Sequence, residues 1–574
     1  MVTLKKKKKK KKQLSQIEKE QLKIKRTHFR EVRSVFTTCG FERISSASDQ
    51  EFTFDGTTSD LDDIFVYHNI IVLCECTVSQ NKISEHLKKK KVLYDKILKD
   101  PPAFRNFLSQ TFPDFSASQD PKYQPHHLRI KILYCSRYPL KAELKADVPG
   151  VLYFDYNIIR YFKAISERVK YSARYELFSY LGLSHKDIGA AAISQGAVAQ
   201  LSYKGSILPD GQSHFPKGYK VVSFYVDPAA LLERCYALRK DGWRDDIGLY
   251  QRMIRQTKID SVRKYLLSKQ RVFINNIIVT LPDTTKLTDD DGNTLDPAKI
   301  QETEPGNILL PSEYNSIGLI DGQHRVFSYY EGGRDEDKIS ILRVQQNLLV
   351  TGIIYPSNLS STDRSKFEAT LFLEINATQT NAKSDLKQAI GILLEPFSQN
   401  SIARRIVNLL NEKDSLNGEF EKYFYDKGKI KTTSIVSYGL RQLIKSNGDD
   451  SLFRVWNHPS KADLEHSPTD GLALEYVKFC ATEIDTFISA VKAVIPTERW
   501  TTDSKVKGRM LTTTVLNGLI ICMRYIIEEK KKLYSFDTYK TRFVAGDLSK
   551  FNFSTYKSSH YAQLGEALFE KYFK

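Results

Sequence analysis

An apolar run that ends abruptly in a tight, polar turn constrains this chain most. The run spans residues 317–320, and the turn reads Asp321-Gly322-Gln323-His324-Arg325. Gly322 lets the backbone reverse closely, and Asp321 is a candidate cap for a helix that starts near Val326. The next three residues would then lie on the first helical turn, where free N–H groups attract anions. The segment predicts a strand, a turn and a helix with a phosphate site, or else a capped turn whose arginine pairs with a carboxylate.

The residues Asp321 to Arg325 resemble the signature of the DGQHR-domain family. That family includes DndB-like proteins of DNA phosphorothioation systems and is related in fold to ParB and sulfiredoxin. The resemblance implies that Gly322, His324 and Arg325 hold the phosphates of ATP or another nucleoside triphosphate. Sulfiredoxin has a catalytic cysteine where Gln323 stands, so its sulfur chemistry is not implied here.

Two further segments resemble the same family. Gln251 and Arg252 match the opening of the domain, where they either contact phosphate or nucleic acid or form a solvated helix start. Asn376 and Gln379 match an Asn-x-x-Gln element. Their amides could hydrogen-bond a base edge or order the turn beside the Arg325 loop.

A second constellation lies near the N-terminus and predicts a β-hairpin with acids at one end. Asp60, Asp62 and Asp63 precede the strand-like residues 64–67, a His68-Asn69 turn, and a second apolar strand that runs into Glu75. Strand alternation places Glu75 on the face opposite Cys74 and Cys76, where we expect it to face Asp63. Such a carboxylate pair can hold Mg²⁺ or Mn²⁺, although a surface hairpin with a solvated acidic end is the alternative.

This hairpin resembles the PD-(D/E)XK restriction-endonuclease-like fold, which carries an Asp on one strand and Glu-x-Lys on the next. The resemblance implies Asp63 and Glu75 as metal ligands and catalytic residues, with Asp62 as second choice and Glu31 as a weaker third. The lysine position holds Thr77, which has no positive charge. Lys82 or Lys88, on the following helix, could replace it; otherwise the domain binds nucleic acid or metal without cutting.

Composition favours a multidomain protein of the cytoplasm. The chain has 574 residues and a formal net charge of +18, and residues 1–34 hold fourteen basic against three acidic residues. The polylysine run can bind phosphates electrostatically, or it can be a tail without a specific function. No apolar run approaches a membrane span, and seven scattered cysteines indicate reduced thiols rather than a zinc site.

The sequence predicts an α/β multidomain protein. We expect a basic disordered tail (1–14), a restriction-endonuclease-like α/β domain (15–185), a ParB/sulfiredoxin-like α+β domain (200–445) and a mostly helical C-terminal region (446–574). Proteins with DGQHR domains occur among DNA-modification and phage-defence genes, which implies DNA, nucleotide and other defence proteins as partners and is compatible with a homo-oligomer. The expected function is a Mg²⁺-dependent nuclease gated by nucleotide. The alternatives are a non-cleaving DndB-like regulator and an ATPase partner of a DNA-modifying enzyme.

Overall fold

The protein is a mixed α/β molecule, as its sequence predicts. A computed structural model describes residues 15–80, 83–140, 142–194, 201–239, 243–244, 251, 253–379, 384–423 and 425–574. It is 51% helical and 16% strand. The chain divides into two compact units, residues 1–237 with 253–359, and residues 238–252 with 360–574. Among the described helices, none has the length and apolarity that crossing a bilayer requires.

The N-terminal half of the first unit combines a sheet with flanking helices. Its strands are β1 (Glu42–Arg43), β2 (Gln50–Phe54), β3 (Thr57–Leu61), β4 (Asp63–Tyr67), β5 (Ile70–Thr77), β6 (Arg129–Ser136) and β7 (Val151–Tyr153). Its helices are α1 (Gln16–Thr38), α2 (Ile83–Lys99), α3 (Pro101–Thr111), α4 (Pro113–Ser118), α5 (Ala142–Asp147), α6 (Tyr156–Val169), α7 (Arg174–Tyr180) and α8 (Gly189–Ile193). The helix α1 starts in a capping box formed by Ser15 and Glu18, which satisfies free N–H groups of its first turn.

The main sheet of this half has the strand order β1-β4-β5-β6-β7. The strands β4 and β5 form an antiparallel hairpin in which Asp63 pairs with Cys74, and β6 runs parallel to β5 with Tyr134 beside Glu75. One face packs Leu73 against apolar residues of α2 and α3. On the other face the rings of Phe36 and Phe65 stack at 4.6 Å. Because both faces are covered, Glu75 on β5 is buried and needs a partner.

The central half of the first unit contains a larger sheet, with the order β10-β14-β11-β15-β9-β8-β13-β12 among the described strands. Its strands are β8 (Leu201–Leu208), β9 (Lys220–Val226), β10 (Cys235–Tyr236), β11 (Ile277–Leu281), β12 (Lys286–Thr288), β13 (Glu304–Leu310), β14 (Ile317–Asp321) and β15 (Leu348–Ile354). Its helices are α9 (Asp210–Ser213), α10 (Pro228–Arg234), α11 (Gln256–Lys269), α12 (Gln323–Phe327) and α13 (Glu336–Gln345). The predicted strand, turn and helix around Gly322 are confirmed as β14 and α12.

Polar contacts fix the N-terminal half to the central half. Arg174 forms an ion pair with Glu331 at 2.8 Å, and the backbone N–H of Tyr171 donates to the carbonyl of Glu331 at 3.1 Å. The amide of Asn315 donates to the carbonyl of Tyr175 at 2.7 Å. These bonds hold the loop that follows α12 and the loop that precedes β14 against the start of α7.

The second unit is helical, which confirms the predicted helical C-terminal region. Its helices are α14 (Ser361–Gln379), α15 (Ser384–Leu394), α16 (Gln399–Leu410), α17 (Thr432–Ser434), α18 (Arg441–Leu443), α19 (Leu452–Val455), α20 (Asp463–His466), α21 (Asp470–Lys492), α22 (Thr513–Lys530), α23 (Phe536–Ala545) and α24 (Tyr561–Tyr572). A π-helical segment, Ile435–Leu440, joins α17 to α18. The apolar stripe of α21 is buried in one core with α22 and α24. The predicted domain boundaries remain a prediction.

Candidate functional site

Asp63 lies in a closed structural ion cluster rather than opposite Glu75. It is fully buried, and its carboxylate accepts hydrogen bonds from Arg33 Nε at 2.7 Å and Arg43 Nε at 2.6 Å. Directly paired residues of antiparallel strands share a face, so Asp63 shares a face with Cys74 and not with Glu75. The expectation that Glu75 faces Asp63 across the hairpin is therefore corrected.

Asp62, one residue earlier, is the carboxylate that lies near Glu75. Both are buried, and Asp62 Oδ2 accepts a hydrogen bond from the backbone N–H of Cys76 at 2.6 Å. Burial and, second, the negative charge of Glu75 together raise the pKa of Asp62 to about 7. Two carboxylates that disfavour each other's charge form the centre of the candidate site.

A buried lysine from α2 completes this cluster. Lys90 Nζ lies 2.9 Å from Glu75 Oε2 and 2.8 Å from Asp60 Oδ1, while only 6% of the residue is exposed. Burial lowers the pKa of Lys90, but the charges of Glu75 and Asp60 and their hydrogen bonds outweigh this effect and raise it overall. The site therefore contains a charged ammonium from α2, although the lysine position of the Glu-x-Lys pattern holds Thr77.

His86, one helical turn before Lys90, connects the cluster to solvent. Its Nε2 lies 3.3 Å from Glu75 Oε1, and its Nδ1 lies 3.1 Å from the hydroxyl of Tyr134. The side chain of His86 is 38% exposed, and that of Asp60 is 51% exposed. A cavity of about 340 Å³ opens beside His86, between α1, α2 and the end of β5, and Lys25 and Thr77 also line it. A ligand in this cavity would contact His86, whose imidazole lies against Glu75.

Sequence reasoning missed Lys90 and His86, although α2 carries a signal for the lysine. The buried face of α2 reads Ile83, Leu87, Lys90, Leu93, Tyr94 and Ile97. A lysine inside an apolar stripe is rarely buried without a partner, so its position alone points to a nearby carboxylate. Of the predicted replacements for the lysine, Lys88 is exposed and Lys82 lies outside the described residues. Glu31 is held by Arg160 at 2.9 Å and is not part of this cluster.

The Asp321 to Arg325 turn forms a second candidate site. Gly322, at φ +100°, caps α12, and Asp321 makes no capping hydrogen bond, which corrects the expected cap. Asp321 instead accepts a hydrogen bond from Arg325 Nη2 at 2.8 Å, and the same nitrogen lies 2.7 Å from the carbonyl of Asn276. His324 Nε2 accepts from the backbone N–H of Arg255 at 3.1 Å. The turn is thus held closed by its own side chains.

Three buried polar atoms at this turn lack hydrogen-bond partners within the described part of the chain. They are Gln323 Oε1, Arg325 Nε and Asn276 Oδ1. A Cβ on residue 322 would come within 2.6 Å of Ile277 Cδ1, so only glycine lets the turn lie this close to β11. Unpaired buried groups next to a glycine turn fit a polar ligand, since such groups are costly when left unsatisfied.

The remaining predicted site residues belong to the second unit. Gln251 is buried, and its backbone N–H donates to the carbonyl of Leu238 at 2.7 Å. The amide of Asn376 donates to the carbonyl of Phe372 at 2.8 Å, within its own helix. Gln379 ends α14, while its side chain and the whole of Arg252 lie outside the described residues. A ligand-binding role for these residues stays a prediction.

Searches against family models, curated proteins and solved structures returned no match for this chain. Among the described residues, no group of three or more His, Cys, Asp or Glu side chains is arranged to hold a metal ion. The candidate metal donors are therefore the two carboxylates of Asp62 and Glu75. Two carboxylates, together with substrate phosphate and water, are a usual donor set for Mg²⁺.

Substitution of the neighbouring acids Asp62 and Asp63 by Asn should change stability in opposite directions. The raised pKa of Asp62 means that the folded protein binds this proton more tightly than the unfolded chain, so its contribution to stability falls as the pH rises from about 4 to about 7. Asp62→Asn should stabilise the protein by about 1–3 kcal/mol at about pH 8 and by less at about pH 5. Asp63→Asn should destabilise it by about 2 kcal/mol, because two arginines lose their partner.

Urea unfolding of both variants at the two pH values measures these differences. The variants have the same chemistry and adjacent positions, so each is the control for the other. A destabilising Asp62→Asn at the higher pH would contradict the assignment of Asp62 to the strained carboxylate pair.

Proposed function

We propose that Asp62, Glu75 and Lys90 form the active site of a Mg²⁺-dependent DNA nuclease. The observation that carries this proposal is the position of Lys90, whose buried ammonium lies 2.9 Å from Glu75. It supplies from α2 the positive charge that Thr77 cannot supply from β5. The order of α1, the β4–β5 hairpin, α2 and the parallel β6 supports a restriction-endonuclease-like arrangement.

The residues of the cluster fit a hard divalent cation. Asp62 and Glu75 offer oxygen ligands, and a bound cation would offset the burial and the charge of Glu75 that raise the pKa of Asp62. Bound Mg²⁺ supplies Lewis-acid stabilisation of phosphate charge and lowers the pKa of a water molecule. In this proposal, Lys90 would neutralise charge on the scissile phosphate. His86 Nε2 would accept the proton of the attacking water or return one to the leaving oxygen.

DNA is the proposed substrate because of the charge on α1. Lys19, Lys23, Arg26 and Arg30 are exposed at spacings of four, three and four residues, which puts them on one face of the helix. Lys25, on the same helix, lines the cavity beside His86. Exposed basic side chains on one face of α1 suit a phosphate backbone, and they add to the charge of the N-terminal lysines.

The Arg325 turn is proposed to bind the phosphates of a nucleoside triphosphate and to gate cleavage. Arg325 Nε and Gln323 Oε1 are the unsatisfied groups available to a ligand, and Asp321 competes with phosphate for Arg325. The resemblance to the DGQHR family supports this role. It also supports a setting in DNA defence or DNA modification, with other proteins of such systems as partners.

Cleavage should depend on Glu75 and Lys90. With Mg²⁺ or Mn²⁺ and plasmid DNA, Glu75→Gln and Lys90→Met should each slow cleavage by at least about a hundredfold, because they remove a metal ligand and the only buried ammonium described in the cluster. Lys89→Met, an exposed neighbour on α2, is the matched control and should cleave normally. Mg²⁺ should also raise the Tm of the parent protein but not of Glu75→Gln.

Equal cleavage by Glu75→Gln and the parent would exclude this active site. Binding of DNA by the parent without products under any condition would instead favour the non-cleaving DndB-like regulator. Turnover of nucleotide without DNA cleavage would favour the ATPase partner.

Substitution of the four basic residues on the exposed face of α1 should weaken DNA binding and reduce its salt dependence. Alanine at Lys19, Lys23, Arg26 and Arg30 should reduce the slope of log affinity against log salt by up to about 3.6, since each phosphate contact contributes about 0.9. Fluorescence anisotropy with a DNA duplex at several salt concentrations gives the slope. Alanine at four exposed lysines of the second unit, Lys531, Lys532, Lys540 and Lys557, removes equal charge and should leave the slope unchanged. Equal losses in the two variants would mean that binding follows net charge and not the exposed basic face of α1.

Nucleotide binding should respond in opposite ways to the two partners in the Arg325 turn. Arg325→Ala should abolish binding of ATP or CTP in calorimetry, because it removes the donor to the phosphates. Asp321→Asn should tighten binding, since the carboxylate no longer competes for Arg325. ATP binding that is unchanged in Arg325→Ala would contradict this site while leaving the nuclease proposal intact.

A further inference from the structure

A basic cavity in the first unit lies apart from both candidate sites. Its volume is about 640 Å³, and it lies between α11 and the loop that follows Tyr330. Four basic side chains line it, against the two acids Asp260 and Asp335: Lys170, Arg263, Lys264 and Arg334. Neither Arg325 nor Glu75 lines this cavity. Its size is that of a small-molecule pocket, and its charge suits an anion.

Arg263 is the most unusual residue in this wall, because its guanidinium is buried and incompletely paired. The side chain is 4% exposed, and Nη1 donates to the carbonyls of Ser328 and Tyr330 at 3.0 Å each. Its Nε and Nη2 are buried and find no acceptor among the described residues. The carboxylate of Asp335 lies 3.7 Å from Nε, beyond hydrogen-bond distance. Burial lowers the pKa of Arg263, as expected for a cation that lacks full compensation.

The glycines of the loop leave room for the guanidinium. A Cβ on residue 333 would lie 2.5 Å from Arg263 Nη2, so a side chain there would compete for the space of the guanidinium. Gly332 has φ +77°, and its backbone packs against the ring of Tyr171. The neighbouring Glu331 is held by Arg174, and the N–H of Gly332 donates to Glu336 at 2.9 Å. The cavity wall is therefore fixed before any ligand arrives.

The non-basic part of the wall offers contacts for more than a bare ion. The ring of Tyr330 lies 3.9 Å from the guanidinium carbon of Arg263, and Leu267 adds an apolar surface. Guanidinium and ammonium groups recognise phosphate through charge-assisted hydrogen bonds, while aromatic and aliphatic groups contact an organic moiety. The combination fits an organic phosphate.

We propose that this cavity is a binding site for a phosphorylated small molecule, whose phosphate pairs with Arg263, Lys264 and Arg334. The phosphate would supply the acceptors that Arg263 Nε and Nη2 lack. Lys170 comes from the N-terminal half and Arg263 from the central half, so the ligand would contact both halves of the first unit. The site is independent of the nuclease and of the Arg325 turn.

Calorimetric titration of the full chain with inorganic pyrophosphate tests the proposal. The double variant Lys264→Ala, Arg334→Ala removes two exposed cations of the cavity and should weaken pyrophosphate binding by at least about tenfold. The variant Lys258→Ala, Lys269→Ala removes equal charge from exposed positions of α11 that do not line the cavity, and it should bind like the parent. Gly333→Ala should also weaken binding, because its methyl group displaces the guanidinium of Arg263.

The Arg325→Ala variant separates this site from the other phosphate site. Pyrophosphate binding that persists in Arg325→Ala and falls in Lys264→Ala, Arg334→Ala supports the proposal. Pyrophosphate binding that is absent from the parent protein, lost in Arg325→Ala, or reduced equally in the α11 control overturns it. DNA cleavage enters none of these measurements, so failure of the nuclease proposal leaves their outcome interpretable.

Discussion

The burial of carboxylates on both faces of the β4–β5 hairpin is the constraint on which the N-terminal half depends. A buried charge is tolerated only when other charges and hydrogen bonds compensate it. Asp63 has two arginines and is closed off from any further partner. On the opposite face, Glu75 contacts one lysine and one histidine, while burial and the charge of Glu75 raise the pKa of Asp62. A buried carboxylate whose charge is fully compensated, such as Asp63, has a structural role. Where the charge is incompletely compensated, as at Asp62 and Glu75, a bound cation would stabilise the protein most.

The degree to which the charge is compensated also distinguishes the two arginines of the central half, Arg325 and Arg263. Arg325 Nη2 donates to both Asp321 and the carbonyl of Asn276, so a phosphate has to compete for this nitrogen. Arg263 is bound through Nη1 to backbone carbonyls, which leave its positive charge in place. Backbone carbonyls orient a guanidinium without neutralising it. Arg263 therefore combines a fixed position with an available charge, which is what anion recognition requires.

Hydrophobic periodicity predicted the elements that carry both sites. The strands around Phe65, Val72 and Leu319 and the helical C-terminal region are confirmed, because their burial follows the local sequence pattern. The partner of Glu75 was missed by one residue. A two-residue turn at His68 and Asn69 pairs Tyr67 with Ile70, and counting back from it pairs Asp63 with Cys74. The register was thus available from the turn length.

Other features depend on tertiary packing that no local pattern contains. Lys90 reaches Glu75 only because α2 crosses this face of the sheet, so its place in an apolar stripe signalled burial but not its partner. The helix α12 begins at Gln323, which puts Gly322 at the cap and frees Asp321 for Arg325. The Arg263 cavity joins residues from distant parts of the chain, and no motif marks it.

The origin of Lys90 on a helix has a mechanical consequence. In a Glu-x-Lys strand, ligand and cation move together, whereas here the carboxylates belong to the hairpin and the ammonium to α2. A shift of α2 along the sheet would change the distance between Lys90 and Glu75 while every strand stayed paired. Because the two parts belong to different elements, the distance between cation and carboxylates depends on the packing of α2 on the sheet and not on the pairing of the strands.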